Sequence, residues 1–408
     1  MNHGTVIVGG GQAGHTTATA LRAAGYDAPI TVIGDEPAVP YQRPPLSKRY
    51  LLREIGPEHL ALGGRAPEVE LRTGERVTAI DVDARVVVCE GGTKVPYDNL
   101  VIATGTRARR LPEPLAGGLT GVHVLRTLAD ADALAASLAD AKSVLVLGGG
   151  FIGLEFAAVA ARLGRKVTVV ERGRILQRAV SEQVSEHLRS VHLGNGVEFL
   201  EGHELERFDD VDGRVVAGVT TDGTRVDADL VLVGIGAEPV AELAAEAGVR
   251  VDNGITVDEL GRTSAPDVYA VGDCANFAWR GGRLRLESVQ NAEYMAKAAA
   301  AHIAGRDVPP RPAPWFWSDQ YDVKLQIAGL LDGGGDSVVT RRTEDGSGFS
   351  LWHYRGDELL AVEALNDPGS FLTARRLMDR GISPARHIVA NESLGIRDIA
   401  AQAMEAAS

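Results

Sequence analysis

Residues 143–155 (SVLVLGGGFIGLE) constrain the fold of this chain more than any other stretch. An apolar run typical of a buried strand (Val144–Leu147) leads into a turn with Gly148, Gly150 and Gly153 and then into the start of a helix. In such a turn the first glycine makes a tight bend, the second lets backbone approach a pyrophosphate, and the third lets helix pack on strand. The phosphates then lie at the positive end of the helix. The stretch therefore predicts a dinucleotide site.

A second copy of this pattern stands near the N-terminus. Residues 5–8 form an apolar run, which is followed by Gly9, Gly11 and Gly14 and an Ala-rich helical segment. The next apolar run leads to Asp35, at the position where a ribose hydroxyl is normally held. The alternative, a turn-initiating aspartate without a ligand, is disfavoured by the glycines upstream.

Two such turns in one chain suggest two different dinucleotides, and FAD with a nicotinamide cofactor is the usual pair. We expect FAD at the N-terminal site, because the chain supplies further contacts for a large buried flavin, and NADH at the central site. Glu171 ends the strand after the central turn, where a carboxylate accepts hydrogen bonds from a free ribose diol and repels a 2′-phosphate. Arg172 leaves NADPH open as the alternative, because an arginine there can receive that phosphate.

Further apolar strands, among them a single strand predicted at residues 225–232, also end in glycine turns, which allow close approach of backbone to a ligand. These turns contain Thr104 and Gly105, Gly234 and Gly236, and Asp273. For Thr104 and Gly105, a simple turn without a ligand is the alternative. We include all of these residues, and Ile152 of the central turn, among the candidate cofactor contacts.

Residues 40–52 (PYQRPPLSKRYLL) carry three prolines within six residues. This spacing disfavours a helix and predicts a rigid, extended segment that places Arg43 and Lys48 firmly. The alternative is a solvated linker with a helix start at Ser47. We favour the functional interpretation, because a rigid basic loop beside a phosphate-binding fold can contact the phosphates.

Composition narrows the functional classes. A net charge of −13 argues against nucleic acid as a partner, and no apolar run approaches the ~20 residues that span a bilayer. The N-terminus enters a strand with no basic region or cleavage site before it, which predicts a cytoplasmic protein. The two cysteines, Cys89 and Cys274, form neither a CxxC pair nor a metal-ligand cluster, so we expect buried thiols and no metal site.

We predict an α/β fold with two Rossmann-like dinucleotide-binding domains and a small C-terminal α+β domain, in a glutathione-reductase-like architecture. The C-terminal part follows a proline-rich stretch, lacks a glycine turn and shows alternating patterns typical of antiparallel strands. The predicted domains are an FAD-binding domain of residues 1–110 and 238–311, an NAD-binding domain of residues 111–237, and a C-terminal domain of residues 312–408.

Several motifs together resemble the FAD-dependent NADH–ferredoxin reductases, the group of putidaredoxin reductase and the reductases of aromatic-ring dioxygenase systems. The motifs are GGGQAG (9–14), PYQRPPLSK (40–48), ATG (103–105), LRTLADA (125–131), GGGFIGLE (148–155), VYAVGDCA (268–275), ESVQNA (287–292) and FWSDQ (316–320). The resemblance covers about residues 5–365. PPLSK combined with FIGLE and FWSDQ is far more specific than either glycine turn alone.

The resemblance implies a set of FAD contacts in this chain. They are Gly9, Gly11, Ala13 and Gly14 at the pyrophosphate, Asp35 at the adenosine ribose, Arg43 near the phosphates, backbone at Val77 near the adenine, and Arg126, Asp273 and Val289 at the flavin or its ribityl chain. For Arg126, a surface salt bridge is an equally good alternative.

The resemblance also implies that Lys48 lies beside flavin N5, paired with Glu155, and that Trp317 lies against the isoalloxazine ring. A lysine near N5 favours the anionic reduced flavin, because it places positive charge where negative charge develops. The alternatives are a helix-start carboxylate for Glu155 and an ordinary core aromatic for Trp317.

The activity implied is electron transfer from NADH through FAD to a small [2Fe–2S] ferredoxin that feeds a cytochrome P450 or a Rieske-type oxygenase. The alternatives are a rubredoxin reductase and an NADH-binding flavoprotein of the apoptosis-inducing-factor-like type. A disulfide reductase is disfavoured because Lys48 occupies the rigid loop and no cysteine pair is available. For a flavin monooxygenase, no site for an organic substrate is visible.

The ferredoxin is expected to be acidic, so its docking surface on this chain should be locally basic. The candidate residues for that surface are Arg65, Arg72, Arg306, Arg311, Arg341, Arg342, Arg375 and Arg376. A solvated face is the alternative for such arginines. Monomer and dimer are both compatible with the sequence.

Overall fold

The computed structural model describes residues 3–63, 68–331 and 334–407. The chain divides into two compact units. The first comprises Met1–Arg43, Ile55–Arg107 and Ala237–Arg311, and the second comprises Pro44–Glu54, Ala108–Gly236 and Pro312–Ser408. None of the helices formed by the described residues reaches the length and apolarity that a bilayer crossing needs.

The first unit is built on a five-stranded parallel sheet with the N-terminal strand at its centre. In spatial order its strands are Val268–Ala270, Asn99–Ile102, Thr5–Val8, Ile30–Gly34 and Val69–Thr73. Every residue of Thr5–Val8 and of Ile30–Gly34 is buried, as expected of parallel strands covered on both faces. Helices Gln12–Ala23 and Val289–Ile303 pack against each other in this unit.

Smaller elements complete the first unit. They are the antiparallel strands Val77–Asp81, Val86–Cys89 and Lys94–Pro96, the three-stranded sheet Ile255–Thr256, Ala275–Trp279 and Gly282–Leu284, the helix Glu242–Glu246, and the 3-10 turns Pro57–His59, Glu90–Gly92 and Gly272–Cys274. The short strands Thr106–Ala108 and Ala237–Pro239 lie where the chain passes from one unit to the other.

The second unit contains another five-stranded parallel sheet. In spatial order its strands are Val197–Glu201, Lys166–Glu171, Ser143–Leu147, Leu230–Val233 and Val122–His123. An antiparallel meander, Leu205–Val211, Arg214–Thr220 and Arg225–Asp227, accompanies it. The helices of this part are Glu113–Ala116, Leu128–Asp140, Phe151–Arg162 and Glu182–Gly194.

The C-terminal part of the second unit is a five-stranded antiparallel sheet with three helices. In spatial order its strands are Trp315–Gln320, Val323–Gly329, Glu358–Leu365, Phe349–Arg355 and Ser337–Arg342. The helices are Pro368–Met378, Arg386–Val389 and Ile396–Ala406. The predicted fold class, two Rossmann-like sheets and a C-terminal α+β part, is confirmed.

Two local predictions were wrong. The sequence predicts an extended segment at the prolines, but Pro44–Ser47 forms a 3-10 turn. Proline fixes φ near the value that such a turn needs, and its missing N–H is harmless in a first turn. A single strand is also expected at residues 225–232, whereas the structure breaks it before Leu230. There the Asp229 carboxylate accepts hydrogen bonds from the backbone N–H groups of Lys142 and Ser143.

Candidate functional site

The N-terminal glycine turn, in the first unit, has the geometry of a phosphate cradle. Gly9 has φ +120°, and a Cβ atom there would lie 2.2 Å from the Ala103 carbonyl oxygen. A Cβ atom on Gly14 would lie 1.9 Å from the Gly9 carbonyl oxygen, so only glycine allows this packing of helix on strand. At Gly11 a Cβ would meet no described atom within 4 Å. The first and third glycines are thus required by packing, and the second borders open space, as a pyrophosphate site requires.

The central turn, in the second unit, repeats this geometry. Gly148 has φ +101°, and a Cβ atom there would lie 2.4 Å from the Gly234 carbonyl oxygen. A Cβ on Gly153 would lie 2.2 Å from the Gly148 carbonyl oxygen, and one on Gly150 would meet no described atom within 4 Å. The predicted contact Gly236 follows at the same edge, exposed and with φ +107°. The residues of both turns therefore fit a dinucleotide.

The helices that follow the two turns begin without a side-chain cap. Among the described residues, no side chain bonds to the first N–H groups of Gln12–Ala23 or of Phe151–Arg162, and neither first turn holds an acidic residue. By contrast, helix Leu128–Asp140 is capped by Thr127, whose hydroxyl accepts the Asp130 N–H. Uncapped N–H groups and the helix dipole favour an anion at these ends. The exposed Ile152 lies in the first turn of the central helix.

The predicted ribose residues differ in their surroundings. The Glu171 carboxylate accepts the N–H groups of Gly149 at 2.7 Å and Gly173 at 3.1 Å, which holds it at the edge of the central turn. Arg172 is largely exposed and forms an ion pair with Glu204. Its guanidinium is therefore engaged by a carboxylate of the same chain.

Asp35, in the first unit, is exposed, and its neighbour Glu36 is the residue that the proline segment engages. Glu36 accepts hydrogen bonds from the Tyr41 hydroxyl and the Arg43 guanidinium, both at 2.6 Å. Arg43 is thereby held near the end of the strand Ile30–Gly34. Sequence reasoning missed Glu36, although it stands next to the predicted acidic position.

Lys48 and Glu155 form an ion pair within the second unit. The Lys48 Nζ lies 2.7 Å from the Glu155 Oε2, and the side chains are 17% and 3% exposed. The Ser47 hydroxyl donates to the same oxygen, and the Ser318 hydroxyl donates to the Glu155 Oε1 at 2.7 Å. Lys48 also donates to the Pro44 carbonyl oxygen at 3.3 Å. A carboxylate this deeply buried needs such donors, because burial removes its hydration.

Comparisons with known proteins identify the family. Residues 3–296 match the pyridine nucleotide-disulphide oxidoreductase family, and residues 315–400 match a reductase C-terminal domain. The chain belongs to the pyridine nucleotide-disulphide oxidoreductase family. Its members use a flavin and a nicotinamide cofactor, which agrees with the two cradles.

Relatives in this family match nearly the whole chain. Rhodocoxin reductase of Rhodococcus erythropolis is 44% identical, over 91% of this chain and 88% of its own. The ferredoxin–NAD(+) reductase component of the anthranilate 1,2-dioxygenase system of Burkholderia cepacia is 42% identical, over 96% and 98%. Among solved structures, a covalent putidaredoxin reductase–putidaredoxin complex matches with a TM-score of 0.93 and 38% identity, over 98% of this chain and 99% of that chain.

The cysteines of this family member are not arranged for disulphide chemistry. Cys89 and Cys274 are both buried, unbridged thiols. Burial raises the pKa of Cys89 to about 11 and also raises the pKa of Cys274. Neither thiol forms a reactive thiolate near neutral pH. Within the described ranges, no group of three His, Cys, Asp or Glu side chains is placed to hold a metal ion.

Trp317 lies in the second unit, on the first strand of the C-terminal sheet. It is half-buried, with its ring centroid 5.7 Å from that of Trp315 and 6.3 Å from that of Phe316. It borders an open cavity of about 410 Å³, which is also lined by Asp319, Lys324, Gln326, Asn366 and Pro368. The ring is therefore accessible to a ligand, unlike an ordinary core aromatic.

The remaining cofactor candidates of the first unit include Val77, Thr104 and Gly105. Val77 is buried at the start of a strand. The Thr104 hydroxyl donates to the Val240 carbonyl oxygen at 2.6 Å, and the adjacent Gly105 has φ +68°.

Two further candidates of this unit, Asp273 and Val289, belong to elements that pack near the helix Gln12–Ala23. Asp273 belongs to a 3-10 turn whose first residue, Gly272, packs so tightly on Ala13 that a Cβ would lie 2.8 Å away. Val289 is the first residue of helix Val289–Ile303. Arg126, in the second unit, is half-buried just before the helix Leu128–Asp140. Its backbone N–H donates to the Asp130 carboxylate at 3.1 Å.

The arginines expected at a docking surface differ in what they contact. Arg341 donates to three backbone carbonyls of its own chain, and Arg311 lies between two aromatic rings. These two side chains stabilise the fold. Arg342 and Arg376 are exposed on the second unit, whereas Arg65 lies outside the described residues.

Proposed function

We propose that this protein is an NADH-dependent ferredoxin reductase that carries FAD. The observation that supports this most is the buried ion pair of Lys48 and Glu155. The pair fixes a positive charge directly after the Pro44–Ser47 turn. Both cysteines of the protein are buried and unbridged. A flavin protein so equipped is suited to electron transfer rather than to thiol chemistry.

FAD is assigned to the domain of residues 1–110 and 238–311, and NADH to the domain of residues 111–237. The pyrophosphate of FAD is assigned to the Gly9–Gly14 turn and the uncapped helix that follows it. NADH is favoured over NADPH, because Glu171 presents a carboxylate at the ribose position while Arg172 is paired with Glu204. The Burkholderia relative, whose name gives NAD(+) as its cofactor, supports the same choice.

Three side chains carry the electron-transfer step in this proposal. A bound flavin accepts a hydride from the nicotinamide and can pass electrons on one at a time. Glu155 holds Lys48 in place, and Lys48 would supply positive charge near N5 of a bound flavin. Trp317 offers a flat apolar surface to the isoalloxazine ring.

The electron acceptor is a small acidic [2Fe–2S] ferredoxin, which in turn feeds a cytochrome P450 or a Rieske-type oxygenase. The relatives that match nearly the full chain are named as reductases of ferredoxin systems, and one is joined to its redox partner in a solved structure. The exposed Arg342 and Arg376 are candidates for docking an acidic partner. A cytoplasmic location remains a prediction from the sequence.

Steady-state turnover tests this proposal. NADH oxidation should depend on added [2Fe–2S] ferredoxin, with cytochrome c as terminal acceptor, and should slow as salt rises. Equal turnover with rubredoxin would favour a rubredoxin reductase. Negligible turnover with every carrier, together with a long-lived charge-transfer band, would favour the signalling type of NADH-binding flavoprotein.

A further inference from the structure

A chain of buried polar side chains runs from Glu155 to the helix Glu182–Gly194. The Ser318 hydroxyl donates to the Glu155 Oε1 at 2.7 Å, and the Gln320 Nε2 donates to the Ser318 hydroxyl at 3.1 Å. The Gln320 Oε1 lies 2.8 Å from the His192 Nε2. All four side chains are buried, and His192 is completely so. These hydrogen bonds join residues that are far apart in sequence but belong to the same unit.

Residue chemistry fixes the direction of every bond in this chain. An ionised carboxylate only accepts, so the Ser318 hydroxyl must donate to Glu155. The Ser318 oxygen can then accept from Gln320 only if the amide NH₂ faces it, which turns the amide oxygen towards His192. His192 must therefore carry its proton on Nε2. All three bonds point their positive ends at Glu155, which stabilises its negative charge.

The surroundings of His192 hold it in this one form. Its ring lies between Phe199 and Tyr321, with edge-to-face centroid distances of 5.9 Å and 5.1 Å. Its Nδ1 has no partner among the described residues, and burial lowers its pKa. A neutral imidazole with a single tautomer is the consequence. It is a fixed hydrogen-bond donor rather than a surface base.

The strand Trp315–Gln320 carries residues of these hydrogen bonds and also Trp317, which borders the cavity described above. Alternate residues of a strand face opposite sides. Ser318 and Gln320 face the buried polar chain, whereas Trp317 and Asp319 line the cavity. One strand therefore presents Trp317 on one face and anchors Glu155 from the other.

We propose that His192 is a positioning residue for flavin reduction, which acts through Gln320 and Ser318 on Glu155 and so on Lys48. The inference rests on the proposed function, because it requires that the Lys48–Glu155 pair acts on the flavin. Ser47 and Lys48 hold one carboxylate oxygen of Glu155. The polar chain holds the other, so both oxygens are fixed. Loss of the His192 donor leaves the Gln320 carbonyl oxygen unpaired, so the amide can flip and release Ser318.

The test is the rate of flavin reduction by NADH in the holoenzyme, measured anaerobically by stopped flow. His192→Phe should lower the limiting rate about three- to tenfold, the effect of about one hydrogen bond, and leave the apparent NADH affinity unchanged. The matched control is His187→Phe, on the same helix and edge-to-face with Phe349, which should keep the wild-type rate. An unchanged rate in His192→Phe, or equal losses in both variants, would overturn the proposal.

A double-mutant cycle shows whether His192 acts through Glu155. In a Glu155→Gln background, adding His192→Phe should cause no further loss of rate. A second full loss there would mean that His192 acts independently, and the inference fails. If Glu155→Gln by itself leaves the wild-type rate, it is the proposed role of the ion pair that fails. If His192→Phe does not fold, Ser318→Ala replaces it, with the same expected loss, and an unchanged rate would again contradict the proposal.

Discussion

The Lys48 ammonium lies 2.7 Å from a carboxylate oxygen of Glu155, a side chain that is only 3% exposed. The two residues are more than a hundred positions apart in sequence, and they meet because the Pro44–Ser47 turn packs on the helix that follows the central glycine turn. A buried pair of this kind fixes its cation in one place. If the flavin lies beside it, the protein supplies a positive charge that needs no reorganisation during reduction.

Replacing Lys48 should affect both activity and stability. Lys48→Met leaves the buried Glu155 carboxylate without its cation, so the free energy of unfolding should fall by about 2–4 kcal/mol and flavin reduction should slow about tenfold or more. Urea unfolding and stopped-flow reduction measure the two effects. The control, Lys166→Met, removes a largely exposed lysine of the same unit and should cost less than about 1 kcal/mol. A reduction rate that Lys48→Met does not change would exclude an electrostatic role for Lys48.

Coenzyme preference should depend on Glu171. Glu171→Gln keeps an acceptor for the Gly149 N–H but removes the charge, so kcat/KM for NADPH should rise about five- to tenfold while that for NADH changes little. Steady-state kinetics with both coenzymes measure the ratio. Glu198→Gln, on the neighbouring strand, is the control and should leave the ratio unchanged. If both variants behave alike, the carboxylate of Glu171 does not select the coenzyme.

Burial of His192 should make stability depend on pH. Because its pKa is lowered in the folded protein, the unfolded chain binds more protons below its own pKa of about 6.5. The free energy of unfolding should therefore fall as the pH drops from about 6.5 towards the lowered pKa. Urea midpoints between about pH 8 and pH 5 should fall less in His192→Phe than in the wild type. His387→Asn, at an exposed histidine, should keep the wild-type slope; an equal slope in all three proteins would contradict this account.

Both thiols should be inert in the folded protein. A pKa of about 11 leaves only about one thousandth of Cys89 as thiolate at pH 8, and burial likewise protects Cys274. A chromogenic disulfide reagent should detect almost no thiol in the native protein and both thiols after unfolding in guanidinium chloride. Rapid labelling of the native protein would show that one thiol is accessible and would reopen thiol chemistry as a function.

Local patterns made the two cradles predictable from the sequence. A strand, three spaced glycines and a helix are read within fifteen or so residues, and the close backbone contacts of Gly9 and Gly148 explain why those residues must be glycine. The pairing of Lys48 with Glu155 was predicted only through the family resemblance. No pattern in the residues themselves joins positions that far apart.

The residues that support the site and the strands were not predictable from local patterns. His192 resembles any polar residue of an amphipathic helix, and its burial depends on contacts with Gln320, Tyr321 and Phe199, which lie outside that helix. The interruption at Asp229 likewise depends on backbone N–H groups that the parallel sheet brings close. Tertiary contacts decide such positions, and local propensity does not. Alternation along FWSDQ is the one signal that places Ser318 and Gln320 on the same face.

The central claim, electron transfer from NADH through a bound flavin to a ferredoxin, is tested most directly by one anaerobic titration. The purified protein should absorb near ~450 nm as a flavoprotein, one equivalent of NADH should bleach that band, and a [2Fe–2S] ferredoxin should restore it as the ferredoxin is itself reduced. Absence of the flavin band, or a bleached band that persists in the presence of every ferredoxin tried, would contradict the account.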